Sequence, residues 1–499
     1  MKPDKYQMKA IKTKTKNLLI LAGAGSGKTY TIVEKIKRLI KEGIKEKEIL
    51  CISFTKETAL SLQDKLKKQN IDIEVRTFHS LGYKIINKYK EVNIVNQNIL
   101  GNIIEKELER EKHLKEISKL HFITIGKKDR QINKIQNNII LNSKYKIILE
   151  NTIQTFINLY KSRNMNQKDF NNFKKINEKE NIYKERQRHK YFLNLTEKII
   201  KKYIKYLRKN KLIDYNDMIN IAIRISKKKR NIFSYKYIII DEYQDISENK
   251  INLIKEIQSQ NNSNLIVVGD DFQSIYGFTG SNIDVITNFK KHFKKSKVVK
   301  LKYTYRNSKE LIKITQKFIC KNPNQIKKNL KSKARNKYPI TIYYYKENIK
   351  EIWSEIEKII EKKQTLILGR NNKDIFLLPN LKKNMKFLTI HKSKGLESEN
   401  TIIINLEDKY DSLPSKIEEN EYLKYVKPLK DKFKYSEERR LFYVGLTRCR
   451  SNNILLVKKD NPSIFIKELI KNNKKNIKII DKIWKKTYTI LVYVFSISV

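Results

Sequence analysis

The stretch Asn17-Leu18-Leu19-Ile20-Leu21, followed by Ala22-Gly23-Ala24-Gly25-Ser26-Gly27-Lys28-Thr29, decides the fold of this chain. Its first half predicts a buried strand, and apolar residues at helical spacing between Tyr30 and Ile40 predict a helix directly after it. A glycine-rich turn that joins a strand to a helix and ends in Lys-Thr is the pattern of a phosphate-binding loop. The sequence therefore predicts a nucleoside triphosphate site where this helix begins.

The residues of this loop have distinct expected roles. Glycines allow consecutive backbone N–H groups to surround a polyphosphate, and the N-terminus of the helix adds a partial positive charge. Lys28 is expected to reach the β- and γ-phosphates and to act in catalysis, and the Thr29 hydroxyl is expected to ligate Mg²⁺. The other loop residues predicted to contact ATP are Gly23, Ala24, Gly25, Ser26 and Gly27.

The charge of the chain favours a polyanionic partner. Its 499 residues include 108 Lys and Arg against 53 Asp and Glu, a formal net charge of +55. A bias toward Lys, Asn, Ile and Tyr is also what an AT-rich genome imposes, so any single lysine run can equally be a solvated surface. The total still favours nucleic acid over an acidic small substrate.

Cysteine spacing bears on the compartment. Cys51, Cys320 and Cys449 lie far apart, which excludes a disulfide framework and a zinc site of the usual spacing. This usage suits a reducing cytosol, and no apolar run reaches the 18 residues of a spanning helix. We therefore expect a cytoplasmic protein, associated with the nucleoid in a bacterium-like cell, with no membrane partner.

Two further strands end in polar residues that suit nucleotide chemistry. Asp241 and Glu242 follow the predicted strand Tyr237-Ile238-Ile239-Ile240, at the sheet edge where open α/β folds bind their ligands. Asp241 is expected to hold the Mg²⁺ ion, and Glu242 to deprotonate an attacking water. After the strand 264–268, Gln273 is placed to contact the γ-phosphate, and the aromatic side chains of Tyr276 and Phe278 can stack on unpaired bases.

A series of further motifs, in order from residue 7 to residue 450, resembles the superfamily-one helicases of the UvrD/Rep group. They are Gln7 with Ala10-Ile11, Ser53-Phe54-Thr55-Lys56, Thr77-Phe78-His79-Ser80, Asp214-Tyr215-Asn216-Asp217, Thr304-Tyr305-Arg306-Asn307-Ser308, His391-Lys392-Ser393-Lys394-Gly395-Leu396-Glu397 and Glu437-Glu438-Arg439-Arg440 through Thr447-Arg448.

The resemblance implies further site residues. Gln7 would read adenine, Tyr305 would stack on it, and Glu397 would also belong to the ATP site. Arg306 and Arg448 would reach the phosphates from the second domain and act in catalysis. The DNA strand would be contacted by Phe54, Thr77, His79, Tyr276, Phe278 and His391.

The α/β rhythm of the chain, together with the resemblance, implies two RecA-like domains in tandem. The expected boundaries are 1–84 and 206–292 for the first domain, with a helical insertion at 85–205. Residues 293–330 and 364–480 would form the second domain, with 331–363 as a small insertion in place of the larger accessory domain. An apolar tail, 481–499, has no assigned role.

The resemblance implies an ATP- and Mg²⁺-dependent DNA helicase that moves 3′ to 5′ on single-stranded and tailed duplex DNA, with repair or recombination proteins as possible partners. Family members usually have Arg where this chain has Thr279, and a Thr at this position resembles the helicase IV branch. His391 follows Arg306 by 85 residues, which is too few for a full accessory domain. These departures leave a nucleotide-switched DNA-binding ATPase without unwinding as an alternative. An RNA helicase or a helicase–nuclease subunit is a third reading, although no nuclease carboxylate cluster follows Arg448.

Overall fold

The computed structural model describes residues 2–96, 98–110, 144–229, 232–427, 431 and 433–481. Its strands are β1 (Asn17–Leu21), β2 (Ile49–Ser53), β3 (Glu74–Thr77), β4 (Asn93–Ile94), β5 (Leu212–Ile213), β6 (Tyr237–Ile240), β7 (Asn264–Gly269), β8 (Ser296–Lys300), β9 (Ile340–Tyr345), β10 (Thr365–Gly369), β11 (Met385–Thr389), β12 (Ser398–Ile403), β13 (Cys449–Lys458) and β14 (Ile477–Ile480).

The first α-helix precedes β1, and the others lie between the strands. They are α1 (Lys5–Lys12), α2 (Lys28–Lys41), α3 (Lys56–Lys67), α4 (Phe78–Asn87), α5 (Asn98–Leu108), α6 (Lys144–Ser162), α7 (Gln167–Glu178), α8 (Tyr183–Lys209), α9 (Tyr215–Lys228), α10 (Glu248–Asn261), α11 (Asp284–Thr287), α12 (Phe289–His292), α13 (Lys309–Ile319), α14 (Lys350–Ile360), α15 (Ser436–Leu446) and α16 (Ile464–Asn473).

Two six-stranded parallel sheets form the cores of two domains. The first has the order β3-β2-β6-β7-β1-β8 and the second the order β11-β10-β12-β13-β9-β14. The interior strands β1, β2 and β10 are buried along their whole length, which explains their nearly continuous apolar sequences. The predicted α/β class with two parallel-sheet domains is confirmed.

Strand pairing changes two of the predicted domain boundaries. β8 pairs in parallel with β1, so residues 296–300 belong to the first sheet and not to the second domain. β9 pairs with both β13 and β14 inside the second sheet, and Trp353 and Ile356 of α14 pack in that domain's core. Residues 340–360 are therefore part of the second domain, and the expectation of a small insertion at 331–363 is wrong for them.

A helical body interrupts the first domain, largely within the stretch 85–205. Helices α5, α6, α7 and α8 surround one apolar cluster that includes Phe156, Phe170 and Phe192. The region also contains the short strand β4, which pairs with β5 and which the sequence did not predict. Part of the expected insertion, 111–143, and nearly all of the expected tail lie outside the described residues.

A segment of the second domain reaches into this helical body. Residues 417–427, here called the tether, contribute Tyr422, Leu423, Tyr425 and Val426 to its apolar cluster. The ring of Tyr422 stacks on Phe192 with centroids 4.1 Å apart and planes 7° from parallel. The helical body is thus packed against both domains, although its chain belongs to the first.

Candidate active site and nucleic-acid interface

The phosphate-binding loop lies at the carboxyl end of β1, between the two domains. Gly25 and Gly27 have φ of +70° and +75°, which side chains disfavour. A Cβ on Gly25 would lie 2.4 Å from the Cβ of Arg306, and one on Gly27 would lie 2.7 Å from Nε2 of Gln7. Both glycines are therefore required by their conformation and by the close approach of predicted site residues.

Lys28, the first residue of α2, forms an ion pair with the proposed base. Its Nζ lies 2.6 Å from Oε1 of Glu242, and both side chains are largely buried. Burial opposes charge on Glu242, but the ammonium groups of Lys28 and Lys394 outweigh it and hold the pKa of Glu242 at about 2. Glu242 has a φ of +51°, a conformation that non-glycine residues rarely adopt and that is common at functional sites.

Asp241 lies directly beside Glu242 at the end of β6 and is partly buried. Its Oδ1 accepts a 2.8 Å hydrogen bond from the N–H of Glu242. Burial and the adjacent Glu242 carboxylate raise the pKa of Asp241 to about 6. A carboxylate whose charged form is disfavoured in this way is suited to binding a cation, because a bound cation would stabilise that charged form.

Gln7 and Tyr305 lie at the other end of the loop. Gln7 Nε2 donates to the carbonyl of Ser26 at 3.2 Å, and Gln7 Oε1 accepts from the N–H of Asp4. Tyr305 donates from its hydroxyl to Oδ2 of Asp4 at 2.7 Å and is half exposed. Asp4, which also caps α1, therefore hydrogen bonds to both predicted adenine-contacting residues, and no sequence motif indicates this role.

Arg306 and Arg448 come together beside the loop. Arg448 is buried and donates from Nη2 to Oε1 of Gln273 at 3.0 Å. Arg306 donates from Nε to Oε2 of Glu397 at 2.7 Å and from Nη1 to the carbonyl of Thr447. Burial and the positive charge of Arg306 lower the pKa of Arg448 to about 9. Two arginines so close together favour an anion between the domains.

Four of the six predicted DNA-contacting residues form an aromatic cluster at the domain boundary. Phe54 stacks on Tyr276 with ring centroids 5.9 Å apart, and Tyr276 packs edge-on against Phe278 at 6.0 Å. His391, from the second domain, meets Phe278 at 5.6 Å, and its backbone carbonyl accepts a hydrogen bond from the Tyr276 hydroxyl. Phe278 is half exposed, so one ring of the cluster is available for stacking.

Thr77 and His79 lie at the start of α4. The Thr77 hydroxyl accepts from the N–H of Ser80 and so caps the helix, which gives Thr77 a structural role as well. Burial and the nearby Lys250 lower the pKa of His79 to about 4. Lys250 also lies 4.6 Å from the ring centroid of Phe54, so this lysine connects His79 to the aromatic cluster.

A cavity of about 980 Å³ opens beside the aromatic cluster. It is lined by Phe278 and Gly277 of the first domain, by Arg370 and His391 of the second, and by residues of the tether. The N–H of Gly277 donates to Oε1 of Glu437 at 3.0 Å, so the two walls are in contact. The cavity is thus bounded by both domains and by the half-exposed ring of Phe278.

Two lysines of the site were not predicted. Lys394 donates from Nζ to Oδ2 of Asp245 at 2.5 Å and to the carbonyl of Gln273 at 2.7 Å, which links the second domain to the strand ends of the first. It lies inside the quoted motif 391–397, so the sequence offered a signal for it. Lys250 has no such signal, because isolated lysines are abundant throughout the chain.

The donors expected to hold a divalent cation are few and are all oxygens. No group of three or more His, Cys, Asp or Glu side chains able to hold a metal occurs within the described residues. The Asp241 carboxylate and the Thr29 hydroxyl fit an ion such as Mg²⁺, which usually takes one or two protein oxygens together with phosphates and water.

No described helix is long and apolar enough to cross a membrane.

Two family models match the two domains. The UvrD/REP helicase N-terminal domain matches residues 4–294, and the UvrD-like helicase C-terminal domain matches residues 379–460. The chain belongs to the UvrD/Rep helicase family. The first match ends two residues before β8, and the second contains Arg448 and the motif 391–397.

Several curated relatives extend the similarity over most of the chain. DNA helicase IV of Escherichia coli (strain K12) is 29% identical over 493 residues, covering 93% of this chain and 69% of the relative. ATP-dependent DNA helicase Rep of Buchnera aphidicola subsp. Acyrthosiphon pisum is 29% identical, covering 81% and 61%. ATP-dependent DNA helicase PcrA of Staphylococcus aureus (strain Mu50 / ATCC 700699) is 26% identical, covering 68% and 42%. The chain thus spans well under the full length of the Rep and PcrA relatives.

Proposed function

We propose that this chain is an ATP-dependent DNA helicase that moves 3′ to 5′ along single-stranded DNA. The observation that carries the proposal is the position of two arginines at the domain boundary: Arg306 lies against Gly25 of the phosphate-binding loop, and Arg448 donates to Gln273. Arginines that reach a nucleotide from a second domain make turnover depend on domain closure. The names of the relatives support ATP use and DNA as the substrate.

The proposed chemistry assigns one role to each group. Lys28 binds the phosphates, Glu242 takes the proton of the attacking water, and Gln273 contacts the γ-phosphate. Asp241 and Thr29 would hold Mg²⁺, which when bound neutralises charge on the phosphates. The adenine would be held by Gln7 and Tyr305, with Glu397 holding Arg306 beside the loop.

The aromatic cluster supports the proposed coupling to DNA. Phe54, Tyr276 and Phe278 come from the first domain and His391 from the second, so a change in domain closure alters the spacing of the rings. If the two domains grip a strand with different affinity in the open and closed states, each turnover advances the protein along it. The 3′-to-5′ direction rests on the family resemblance alone.

The test is ATP turnover with and without single-stranded DNA, followed by unwinding of 3′-tailed and 5′-tailed duplexes. We expect strong stimulation by DNA, loss of turnover in Lys28→Ala, and unwinding of the 3′-tailed duplex. Lys37→Ala, on the exposed side of the same helix, is the matched control. A preference for the 5′ tail would contradict the proposed direction, and DNA-stimulated turnover without unwinding would favour the nucleotide-switched alternative.

Partners and location follow as further proposals. The helicase assignment supports single-stranded and tailed duplex DNA as ligands, with repair or recombination proteins acting on the same DNA. A cytoplasmic location near the nucleoid would follow from this substrate. Fractionation of cells with and without nuclease treatment would test the location, since release by nuclease is expected for a DNA-bound protein.

A further inference from the structure

Lys328 is a fully buried lysine that lies between the two domains and outside the motifs quoted above. Its Nζ donates to Oδ1 of Asp270 at 2.7 Å and lies 2.5 Å from Oδ1 of Asp271, and all three side chains are buried completely. The ammonium also lies 3.2 Å from the ring centroid of Phe272. Because a buried charge is costly unless it is paired, these contacts fix the lysine in one place.

The contacts of Asp270 continue from Lys328 into the cleft. While Oδ1 accepts from Lys328, Oδ2 accepts from Nε2 of Gln273 at 2.5 Å. The other end of the same amide, Oε1, accepts from Nη2 of Arg448 at 3.0 Å. Three consecutive hydrogen bonds thus connect Lys328 to Arg448 through Asp270 and Gln273.

The direction of the Gln273 amide is the important feature of this chain of hydrogen bonds. An amide has one donor end and one acceptor end, and a guanidinium can only donate. With its nitrogen held by the carboxylate of Asp270, Gln273 presents its oxygen to Arg448. A reversed amide would place two donors against each other, and Arg448 would lose this partner.

We propose that Lys328 is a positioning residue for ATP turnover, acting by orienting the Asp270 carboxylate so that Gln273 presents its oxygen to Arg448. The proposal rests on the function proposed above. Without the ammonium group, Oδ1 of Asp270 loses its partner, and the carboxylate is no longer held with Oδ2 toward Gln273. The Gln273 amide then loses the acceptor that fixes its direction and is free to reverse.

The first test is the Lys328→Met variant, which keeps the length of the side chain and removes its charge. We expect kcat for ATP to fall by about 10- to 100-fold, as when partners that orient metal ligands are removed. The KM for ATP should stay within about twofold of wild type, because Gln7, Tyr305 and Lys28 keep their contacts. Lys327→Met is the matched control, since its exposed side chain is next in sequence.

A double-variant cycle separates positioning from a general structural role. If Lys328 acts through Gln273, Lys328→Met should have almost no further effect on kcat in a Gln273→Ala background. Multiplicative effects of the two substitutions would overturn the proposal, because residues that act independently give additive free energies. An unchanged kcat in Lys328→Met would overturn it as well.

If Lys328→Met does not fold, a second pair of variants tests the same proposal. Asp270→Asn should lower kcat as Lys328→Met is expected to, whereas Asp271→Asn, equally buried but not bonded to Gln273, should not. Equal losses in both variants would indicate a purely structural cluster and overturn the proposal. If the wild type does not hydrolyse ATP, both the proposed function and this inference are refuted. If the wild type and Asp270→Asn both hydrolyse ATP at the same rate, only the inference is refuted.

Discussion

The Glu242→Gln substitution separates ATP binding from ATP hydrolysis. Glutamine has nearly the shape of glutamate but no charge, so it removes the carboxylate that lies 2.6 Å from Lys28. Two unit charges about 4 Å apart at an effective dielectric constant of about 20 interact by about 4 kcal/mol, which sets the order of magnitude for this closer pair before the cost of desolvation. Because Lys28 then no longer shares its charge with Glu242, ATP should bind at least as tightly as in the wild type.

Hydrolysis should respond in the opposite direction. Loss of a general base typically slows a reaction by about 10²- to 10⁴-fold, so the variant should bind ATP and DNA but turn over very slowly. The assay is phosphate release with saturating single-stranded DNA, combined with titration of a fluorescent ATP analogue. Glu248→Gln, at the partly exposed start of α10, is the control.

Two outcomes would refute this reasoning. A kcat within about threefold of the wild type would remove Glu242 as the base. Loss of ATP binding in the variant would mean that the Lys28–Glu242 pair holds the loop in shape and does not compete with the phosphates. The first outcome would remove the assignment of Glu242 as the base, and the second would overturn the expected competition between Glu242 and the phosphates for Lys28.

Three other predictions concern the arginine, the exposed ring and the histidines. Arg448→Ala should lower kcat by about 10³- to 10⁵-fold in single-turnover ATP assays, as loss of an arginine finger does, and unchanged turnover would contradict it. Phe278→Ala should weaken single-stranded DNA binding by about 1–3 kcal/mol in fluorescence anisotropy, whereas Tyr410→Ala, exposed elsewhere, should not. Burial lowers the pKa values of His79 and His391 to about 4, so both are neutral above pH 6. Protonation of these two histidines should therefore not change DNA affinity between pH 6 and pH 8. If the wild type binds DNA more tightly toward pH 6 and substitution of either histidine abolishes that increase, the prediction is contradicted.

The sequence predicted those parts of the fold that depend on local patterns. The glycine-rich loop after β1 and the acidic ends of β6 and β7 were all recognised, because strand, turn and helix follow one another within a few residues. The sheet to which β8 and β9 belong was predicted wrongly. Strand pairing over hundreds of residues, such as Leu19 with Val298, decides that membership, and hydrophobic pattern does not reveal it.

The candidate site divides in the same way. Lys28, Glu242 and Arg448 lie in motifs and were predicted, although their catalytic roles stay predictions. Lys250 and Lys328 were missed because they are single lysines in a chain with 108 Lys and Arg residues. Their importance comes from burial and from carboxylates or rings that approach from other segments, which a sequence pattern alone does not show.

The helical body is fastened at two joints of different chemistry. Toward the first domain, Lys161 donates to Oδ2 of Asp217 at 2.8 Å and pairs with Asp214. Toward the second domain, the tether inserts the apolar and aromatic side chains around Tyr422. A hinge motion that moves the two domains apart must therefore either bend the tether or break the ion pairs of Lys161. Bending a loop costs less free energy than separating buried charges, so we expect the tether to move while the ion pairs stay intact.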